Sequence, residues 1–277
     1  MHYEIRGSDS IASANVVNVD DAQVAYRVQG KGPAVVLVNG TGALDVHWGH
    51  VIEVLSSQRT VISLDYSGSG DTVDDGGVLT LEKLARQVVG VAKAAGAETF
   101  DLIGYSLGSV IATFIAAEYP KLVRSVVLLT GFLWGGDSGL KLQNDLWLDL
   151  IRTNHQAYMR LLLFSGLTPA FLTNLGTSKI EEMVAGSTAM VNWEGFARQI
   201  ELNLKVDIRA QAQRVIRPVL VIGGAQDHIL NSPQTRALAD SIPRALYKEV
   251  DAGHIVLFER ADEFIALATE FLFQQHD

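Results

Sequence analysis

The sequence contains no cysteine among its 277 residues, which excludes disulfide bonds, thiolate metal sites and a cysteine nucleophile. It has no apolar run of about 18 residues, the length that a membrane-spanning helix needs. Basic residues form no cluster, and the net charge of −9 argues against nucleic acid or an anionic membrane as a partner. Because residues 1–7 lack the apolar segment of a signal peptide, we expect a cytoplasmic protein.

Several motifs that bind cofactors or metals are also missing. The sequence has no G-x-x-x-x-G-K-[ST] phosphate loop and no H-E-x-x-H metal motif. The glycine-rich residues 39–42, Asn-Gly-Thr-Gly, lack the G-x-G-x-x-G spacing of a dinucleotide site. We therefore expect no metal and no organic cofactor.

Hydrophobic residues make up 48% of the chain, enough for one α/β domain with an insertion, or for two domains at most. Short apolar runs end in glycine-rich loops and are followed by stretches with helical spacing. This alternation predicts a mostly parallel sheet with helices on both faces, preceded by an antiparallel hairpin. The predicted strands span 15–20, 22–28, 34–38, 60–66, 99–104, 123–129, 218–222 and 245–250.

The alternation stops after Gly131 and resumes near Pro218. Between these points, apolar residues recur at helical spacing and no clear strand is visible. We therefore expect residues 133–213 to form a helical insertion in a core made of residues 1–132 and 214–277. A single closing helix is predicted over 256–273.

Residues 104–108 read Gly-Tyr-Ser-Leu-Gly, a G-x-S-x-G motif between a predicted strand and a predicted helix. This context places Ser106 on a sharp turn at the carboxyl end of a strand, where the active sites of parallel sheets form. A serine hydroxyl is a poor nucleophile at neutral pH, so it needs a base, and the base needs an orienting carboxylate. Ser106 is therefore a candidate nucleophile.

The candidate base and acid also follow predicted strands. His254 comes just after the last strand and is the histidine best placed to reach Ser106. Asp227 follows the preceding strand and is the favoured acid. Asp137, in the loop after strand 123–129, is the alternative acid.

The chain order Ser106, Asp227, His254, with each residue at the end of a predicted strand, resembles the α/β-hydrolase family. Residues 65–70, Asp-Tyr-Ser-Gly-Ser-Gly, also resemble a loop of that family. The resemblance implies a mostly parallel, twisted sheet of about eight strands with helices on both faces. It also implies that the insertion at 133–213 is a helical cap.

The resemblance further implies an oxyanion hole. Its two donors would be the backbone N–H groups of Leu107, next to the nucleophile, and of Thr41, in the first glycine-rich loop. Asn39 and Ser67 stand where many relatives have histidine and arginine. Neither difference removes a backbone donor.

The cap is expected to determine substrate specificity. Most of its apolar side chains would form its own core, and the remainder would line an apolar pocket over Ser106. The candidate pocket residues are Trp134, Trp147, Met159 and Phe164. The basic residues available to bind an anionic group are Arg152, Arg160 and Arg198.

The sequence thus predicts a serine hydrolase that cleaves a carboxylic ester or a lactone of a small, largely apolar substrate through an acyl-enzyme. A thioesterase or a C–C bond hydrolase with the same triad is the alternative. A non-hydrolytic protein of this fold, such as a ligand receptor, a lyase or a cofactor-free oxygenase, is an alternative of a different class. We expect a monomer or a homodimer.

Overall fold

The computed structural model describes residues 14–42 and 48–274. Its strands form one eight-stranded sheet. Every predicted strand is present, with ends that differ by at most two residues. The strands are β1 (Asn15–Val19), β2 (Ala22–Gln29), β3 (Ala34–Val38), β4 (Thr60–Asp65), β5 (Phe100–Tyr105), β6 (Val123–Leu129), β7 (Val219–Gly224) and β8 (Leu246–Val250).

The sheet has the order β1-β2-β4-β3-β5-β6-β7-β8. Strand β2 pairs antiparallel with β1 and β4, whereas all the other neighbouring pairs are parallel. The loops after β3, β5, β7 and β8 therefore leave the sheet at the same edge, where the predicted site residues are carried.

Helices cover both faces of the sheet, as predicted. Along β3, Val36 and Val38 belong to the core under α2 and α3, whereas Val35 and Leu37 belong to the core under α1 and α11. No helix among the described residues is both long and apolar enough to cross a bilayer. The helices are α1 (Gly49–Leu55), α2 (Leu81–Ala94), α3 (Leu107–Glu118), α4 (Ser138–Thr153), α5 (His155–Gly166), α6 (Pro169–Met190), α7 (Trp193–Asn203), α8 (Arg209–Arg214), α9 (Ser232–Ser241), α10 (Val256–Glu259) and α11 (Ala261–Gln274).

Helices α4 to α8 lie between β6 and β7 in the chain. Helix α4 packs against α5 and α7, and α5 packs against α6. Helix α8 instead packs against α3 and α9 of the sheet-covering layer. The four helices α4 to α7 thus form a group of their own beside the carboxyl edge of the sheet.

The prediction of one closing helix over 256–273 is wrong. The chain forms α10 and α11, because Arg260 between them has a non-helical backbone (φ −141°, ψ 41°). The break lets the buried carboxylate of Glu259 accept hydrogen bonds from the N–H groups of Gly253, at 2.9 Å, and Thr168, at 3.1 Å. These bonds tie the loop after β8 to the start of α6.

Candidate active site

Ser106 lies on the sharp turn between β5 and α3, with a positive φ of 54°. Such a conformation costs a non-glycine residue about 1–3 kcal/mol. The turn needs glycine on both sides of the serine. A Cβ at Gly104 would lie 2.3 Å from the carbonyl oxygen of Gly108, and one at Gly108 would lie 2.0 Å from that of Val38. The Ser106 N–H donates to the carbonyl of Leu129 at 2.9 Å, which fixes the turn to β6.

The structure brings the three predicted side chains together. His254 Nε2 lies 3.2 Å from Ser106 Oγ, and His254 Nδ1 lies 2.7 Å from Asp227 Oδ2. A carboxylate only accepts hydrogen bonds, so Nδ1 carries the ring hydrogen and Nε2 is left to accept the serine proton. The chain of hydrogen bonds thus has the direction that a serine nucleophile needs.

The carboxylate of Asp227 is held by the backbone as well as by His254. Its Oδ1 accepts hydrogen bonds from the N–H groups of Ile229, at 2.7 Å, and Leu230, at 2.8 Å. The side chain is fully buried. Its orientation is therefore fixed by two backbone N–H groups of the loop after β7 and by the imidazole of His254.

The alternative acid, Asp137, does not reach His254. It precedes α4 and caps that helix, because its Oδ1 accepts from the N–H groups of Gly139, at 2.9 Å, and Leu140, at 3.1 Å. Of the two candidate aspartates, the structure places Asp227 alone beside the imidazole.

The loop after β3 brings Thr41 to the site. A Cβ at Gly40 would lie 3.1 Å from the Cβ of Ser106, so the loop passes directly over the serine. The Tyr66 hydroxyl lies within hydrogen-bond distance of the carbonyls of Asn39, at 2.9 Å, and Gly40, at 3.0 Å. Leu107 begins α3, so its N–H has no acceptor within the helix. Both predicted oxyanion donors therefore belong to backbone that flanks Ser106.

Asn39 anchors this loop. Its Nδ2 donates to the carbonyl of Leu64 at 3.1 Å, and its Oδ1 accepts from Trp48 Nε1. The side chain is buried. Asn39 therefore ties the loop after β3 to β4 and to the start of α1.

Gln199 of α7 also holds the loop, and sequence reasoning missed it. Its Oε1 accepts the Gly42 N–H at 2.8 Å, and its Nε2 donates to Ser67 O at 3.1 Å and Ser69 Oγ at 2.8 Å. The side chain is completely buried. One amide thus links α7 to both glycine-rich loops. The signal in the sequence is a pair of amides, Gln199 and Asn203, four residues apart on the helix face that also carries Phe196 and Ile200.

A cavity of about 160 Å³ adjoins Ser106 and His254. Its wall is mostly apolar and comes from α4, α5, α6 and the loops after β7 and β8. The predicted residues Trp147 and Met159 line it. Other apolar side chains in the wall are Phe132, Leu140, Tyr158, Leu163, Met183 and Phe196.

Trp134 and Phe164, by contrast, do not line the cavity. Trp134 is 42% exposed, and the Arg209 guanidinium lies over its ring at 4.9 Å. Phe164 is 74% exposed because α5 turns Met159 and Leu163 toward the cavity, which directs Phe164 to the outer face. The prediction that Trp134 and Phe164 line the pocket is therefore wrong, because the segments that carry them turn these side chains away from the cavity.

The three candidate arginines each pair with a carboxylate and do not line the cavity. The ion pairs are Arg152–Glu201 at 3.2 Å, Arg160–Glu181 at 2.6 Å and Arg198–Asp74 at 2.9 Å. Burial raises the pKa of the Tyr105 and Tyr158 phenols well above their ordinary value. The cavity wall therefore offers a ligand neutral hydrogen-bonding groups and the imidazole.

Within the described ranges, no three histidine or acidic side chains form a group that could hold a metal ion.

A model of the alpha/beta hydrolase family matches residues 35–267, most of the chain. The chain belongs to the alpha/beta hydrolase family. The expected fold, a mostly parallel eight-stranded sheet covered by helices, is that of this family.

Several proteins similar to this alpha/beta hydrolase are named as hydrolases. A pyrrolizixenacetamide deacetylase of Xenorhabdus hominickii is 44% identical over 94% of this chain and 98% of its own length. The crystal structure of a hydrolase from Pseudomonas aeruginosa has a TM-score of 0.85 at 25% identity, covering 95% of this chain and 99% of that one. An enol-lactonase from Burkholderia xenovorans has a TM-score of 0.84 at 25% identity, covering 94% and 100%. This alpha/beta hydrolase is therefore an enzyme of the class that includes esterases and lactonases.

Proposed function

We propose that this protein is a serine hydrolase that cleaves a carboxylic ester or a lactone of a small, largely apolar substrate. The observation that supports the proposal is the hydrogen-bonded chain of Ser106, His254 and Asp227, with distances of 3.2 and 2.7 Å. In this proposal Ser106 is the nucleophile, His254 the base and Asp227 the residue that orients the imidazole.

In the first half of the reaction, Ser106 Oγ attacks the carbonyl carbon while its proton moves to His254 Nε2. The carbonyl oxygen becomes an oxyanion, which the backbone N–H groups of Leu107 and Thr41 stabilise. The bond from the carbonyl carbon to the leaving oxygen then breaks, and His254 gives that oxygen its proton. The product of this half is an acyl-enzyme and an alcohol.

In the second half, His254 removes a proton from water, whose oxygen attacks the acyl carbon. Collapse of the new oxyanion breaks the bond to Ser106 Oγ, which regains its proton from His254. The free acid leaves. Asp227 stabilises the imidazolium in both halves, and no other proton donor is required.

The size of the cavity supports a small substrate. A cavity of about 150 Å³ lined by apolar side chains holds one benzene molecule, and the cavity beside Ser106 measures about 160 Å³. The part of the substrate that is enclosed therefore has about the size of one ring. Met190 lines the cavity and is 55% exposed, which favours an entrance at the end of α6.

We further propose that helices α4 to α7 are the cap that determines specificity. They supply about half of the residues in the cavity wall, and α4 packs against α5 and α7 while α5 packs against α6. The bounds of the insertion, residues 133–213, stay a prediction. The packing of α8 against α3 and α9 favours an end of the cap before Arg209.

Hydrolysis of an acetamide is a second candidate function. It is favoured by the 44% identical relative, whose name is that of a deacetylase acting on an acetamide. The same triad serves this reaction, with His254 protonating the leaving nitrogen instead of an oxygen.

The decisive experiment compares the wild type with Ser106→Ala. We expect a fluorophosphonate to add once to the wild type and not to the variant, as measured by intact-mass spectrometry. Hydrolysis of the best substrate in a panel of p-nitrophenyl esters, lactones, acyl thioesters and acetanilides should fall by at least about 10³-fold, because the variant has no nucleophile.

Ser241→Ala is the matched control. Its hydroxyl lies on the exposed end of α9 and donates to the carbonyl of Ala237 at 2.8 Å, so the variant should keep wild-type labelling and turnover. The proposal fails if Ser106 in the wild type is not labelled, or if Ser106→Ala hydrolyses the panel at the wild-type rate.

A further inference from the structure

Glu259, the last residue of α10, has a buried carboxylate that lies outside the triad. Its two oxygens accept three hydrogen bonds. Oε1 accepts from the N–H groups of Gly253, at 2.9 Å, and Thr168, at 3.1 Å, while Oε2 accepts from Thr168 Oγ1 at 2.5 Å. A buried carboxylate destabilises a fold unless donors satisfy it, and hydrogen bonds to a charged acceptor are strong. These three donors therefore hold the carboxylate firmly in place.

The two partners of Glu259 belong to different parts of the fold. Gly253 lies in the loop after β8 and directly precedes His254, the proposed base. Thr168 lies at the junction between α5 and α6, where its hydroxyl also caps α6 by accepting from the Phe171 N–H at 3.2 Å. One carboxylate therefore holds the histidine loop against the junction of the two inserted helices.

The residue that follows His254 is held by the same junction. The Ile255 N–H donates to the carbonyl of Gly166 at 2.9 Å. The two backbones approach closely, because a Cβ at Gly253 would lie 2.5 Å from that carbonyl oxygen. His254 is thus flanked by two backbone N–H groups, one bound to Glu259 and the other to the end of α5.

The imidazole needs this support from its backbone. Asp227 binds the ring through Nδ1 alone, at 2.7 Å, and one hydrogen bond lets a ring pivot. His254 Nε2 lies 3.2 Å from Ser106 Oγ, so a small shift of the loop lengthens the bond along which the proton moves. A misplacement of about 1 Å can slow a reaction about 10²-fold.

We propose that Glu259 is a positioning residue for His254 and that it acts by holding the Gly253 N–H against the α5–α6 junction. Glu259 does not line the cavity beside Ser106, so its effect on the reaction passes through the backbone of the histidine loop. This inference rests on the proposed function, because it takes His254 as the base.

Glu259→Met removes both acceptor oxygens and nearly keeps the volume of the side chain. We expect kcat for ester hydrolysis to fall about 10–100-fold and KM to change less than about threefold, since the base acts in the transition state. Glu259→Gln should restore most of kcat, because its Oε1 still accepts both N–H groups and its NH₂ can donate to Thr168 Oγ1. A wild-type kcat in Glu259→Met would overturn the inference.

Glu263→Met is the matched control, since it makes the same change at an exposed position of α11 and should keep the wild-type kcat and KM. If Glu259→Met does not fold, Thr168→Val tests the link from the side of the junction. It removes the donor to Oε2 and keeps the two bonds to Oε1, so kcat should fall about 3–10-fold with KM unchanged. In that case a wild-type kcat in Thr168→Val would overturn the inference.

The position of His254 can also be followed without turnover. Proton NMR of the wild type should show a downfield resonance of the His254 Nδ1–H in its bond to Asp227, assigned by its loss in Asp227→Asn. We expect the resonance to persist in Glu259→Gln and to broaden or vanish in Glu259→Met, because a displaced ring exchanges this hydrogen with water.

The outcome is separable from that of the proposed function. A resonance lost in Glu259→Met and kept in Glu259→Gln, together with no fluorophosphonate adduct on Ser106, would support the positioning role and refute the serine hydrolase. Labelling of Ser106, together with an unchanged resonance and kcat in Glu259→Met, would do the reverse.

Discussion

At the scale of single residues, the two carboxylate oxygens of Asp227 have separate partners. Oδ1 accepts from the backbone of Ile229 and Leu230, and Oδ2 faces His254 Nδ1. One oxygen thus positions the side chain and the other selects the imidazole tautomer. One substitution should change the choice of tautomer and leave the position of the side chain unchanged.

Asp227→Asn makes that change. Its Oδ1 still accepts from the backbone, while its NH₂ donates to His254 Nδ1. The ring hydrogen is then on Nε2, and this nitrogen can no longer accept the Ser106 proton. We expect kcat for ester hydrolysis to fall by about 10²–10⁴-fold, with little change in melting temperature.

Asp137→Asn is the control for that prediction. Asparagine keeps the capping bonds to Gly139 and Leu140, so activity should stay near that of the wild type. If Asp227→Asn retains full kcat, the imidazole is oriented by another group.

The residues that the sequence could locate are those fixed by both chemical type and chain position. Ser106, Asp227 and His254 follow strands whose order sets where their side chains emerge. Trp134 and Phe164 have the right type for a pocket, but the direction of each side chain depends on how its segment is rotated in the packed structure. Helical spacing alone does not give that rotation.

At the scale of secondary-structure elements, α7 contacts the core more closely than the sequence suggested. Its Gly195 meets Gly68, and a Cβ at Gly195 would lie 2.4 Å from the Gly68 carbonyl oxygen. Gln199 bonds to both glycine-rich loops, and Arg198 forms an ion pair with Asp74. Helix α7 therefore supports the loop that carries Thr41.

Gln199→Met should loosen that loop while keeping the volume of the side chain. The Gly42 N–H loses its acceptor, so the Thr41 backbone is less well positioned for the oxyanion. We expect kcat to fall about 10–100-fold with KM changed less than about threefold, since the interaction is made in the transition state. Steady-state kinetics on one ester provides the measurement.

Arg198→Met is the matched variant, because it weakens α7 docking at the adjacent residue without touching the loop. It leaves the part-buried Asp74 carboxylate without its cation but with its hydrogen bonds from Ser67 and Gly76, so the free energy of unfolding should fall by about 1–2 kcal/mol while kcat holds. Equal kcat losses in the two variants would show that docking alone, and not the Gly42 contact, matters.

The sequence predicted the helical character of α7 but not this role. Apolar spacing through Phe196, Ile200 and Leu204 favours an amphipathic helix. The close approach of Gly195 to Gly68 joins residues far apart in the chain, and no local pattern encodes it. The helix break at Arg260 was missed for the same reason. The apolar spacing continues through the break, whereas the burial of Glu259 depends on its bonds to Thr168 and Gly253.

At the scale of the whole molecule, the Arg198–Asp74 pair joins the inserted helices to the sheet-containing core. Burial acts to raise the pKa of Asp74, but hydrogen bonds from Arg198, Ser67 and the Gly76 N–H outweigh it and hold the pKa below its ordinary value of 3.8. A carboxyl whose pKa is lower in the folded protein stabilises the fold above its ordinary pKa, and this contribution is lost as pH falls through the lowered value.

We therefore expect the melting temperature to fall as pH is lowered from about 5 to about 2.5, with part of that fall due to Asp74. Arg198→Met should show a smaller fall over the same range, because the largest hydrogen-bonding contribution to the lowered pKa has gone. Calorimetry of the two proteins at matched ionic strength provides the comparison, and parallel pH profiles would contradict the assignment.

The unequal attachment of the inserted helices has a consequence for how new specificities arise. Helix α7 shares contacts with the loop over Ser106, whereas α6 has a single buried residue, Val184, yet supplies Met183, Ser187 and Met190 to the cavity. Substitutions in α6 can therefore alter the cavity wall without touching the loop over Ser106, whereas substitutions in α7 can alter both. Of the four helices α4 to α7, α6 is therefore the one whose exposed residues can change with the least effect on the loop over Ser106.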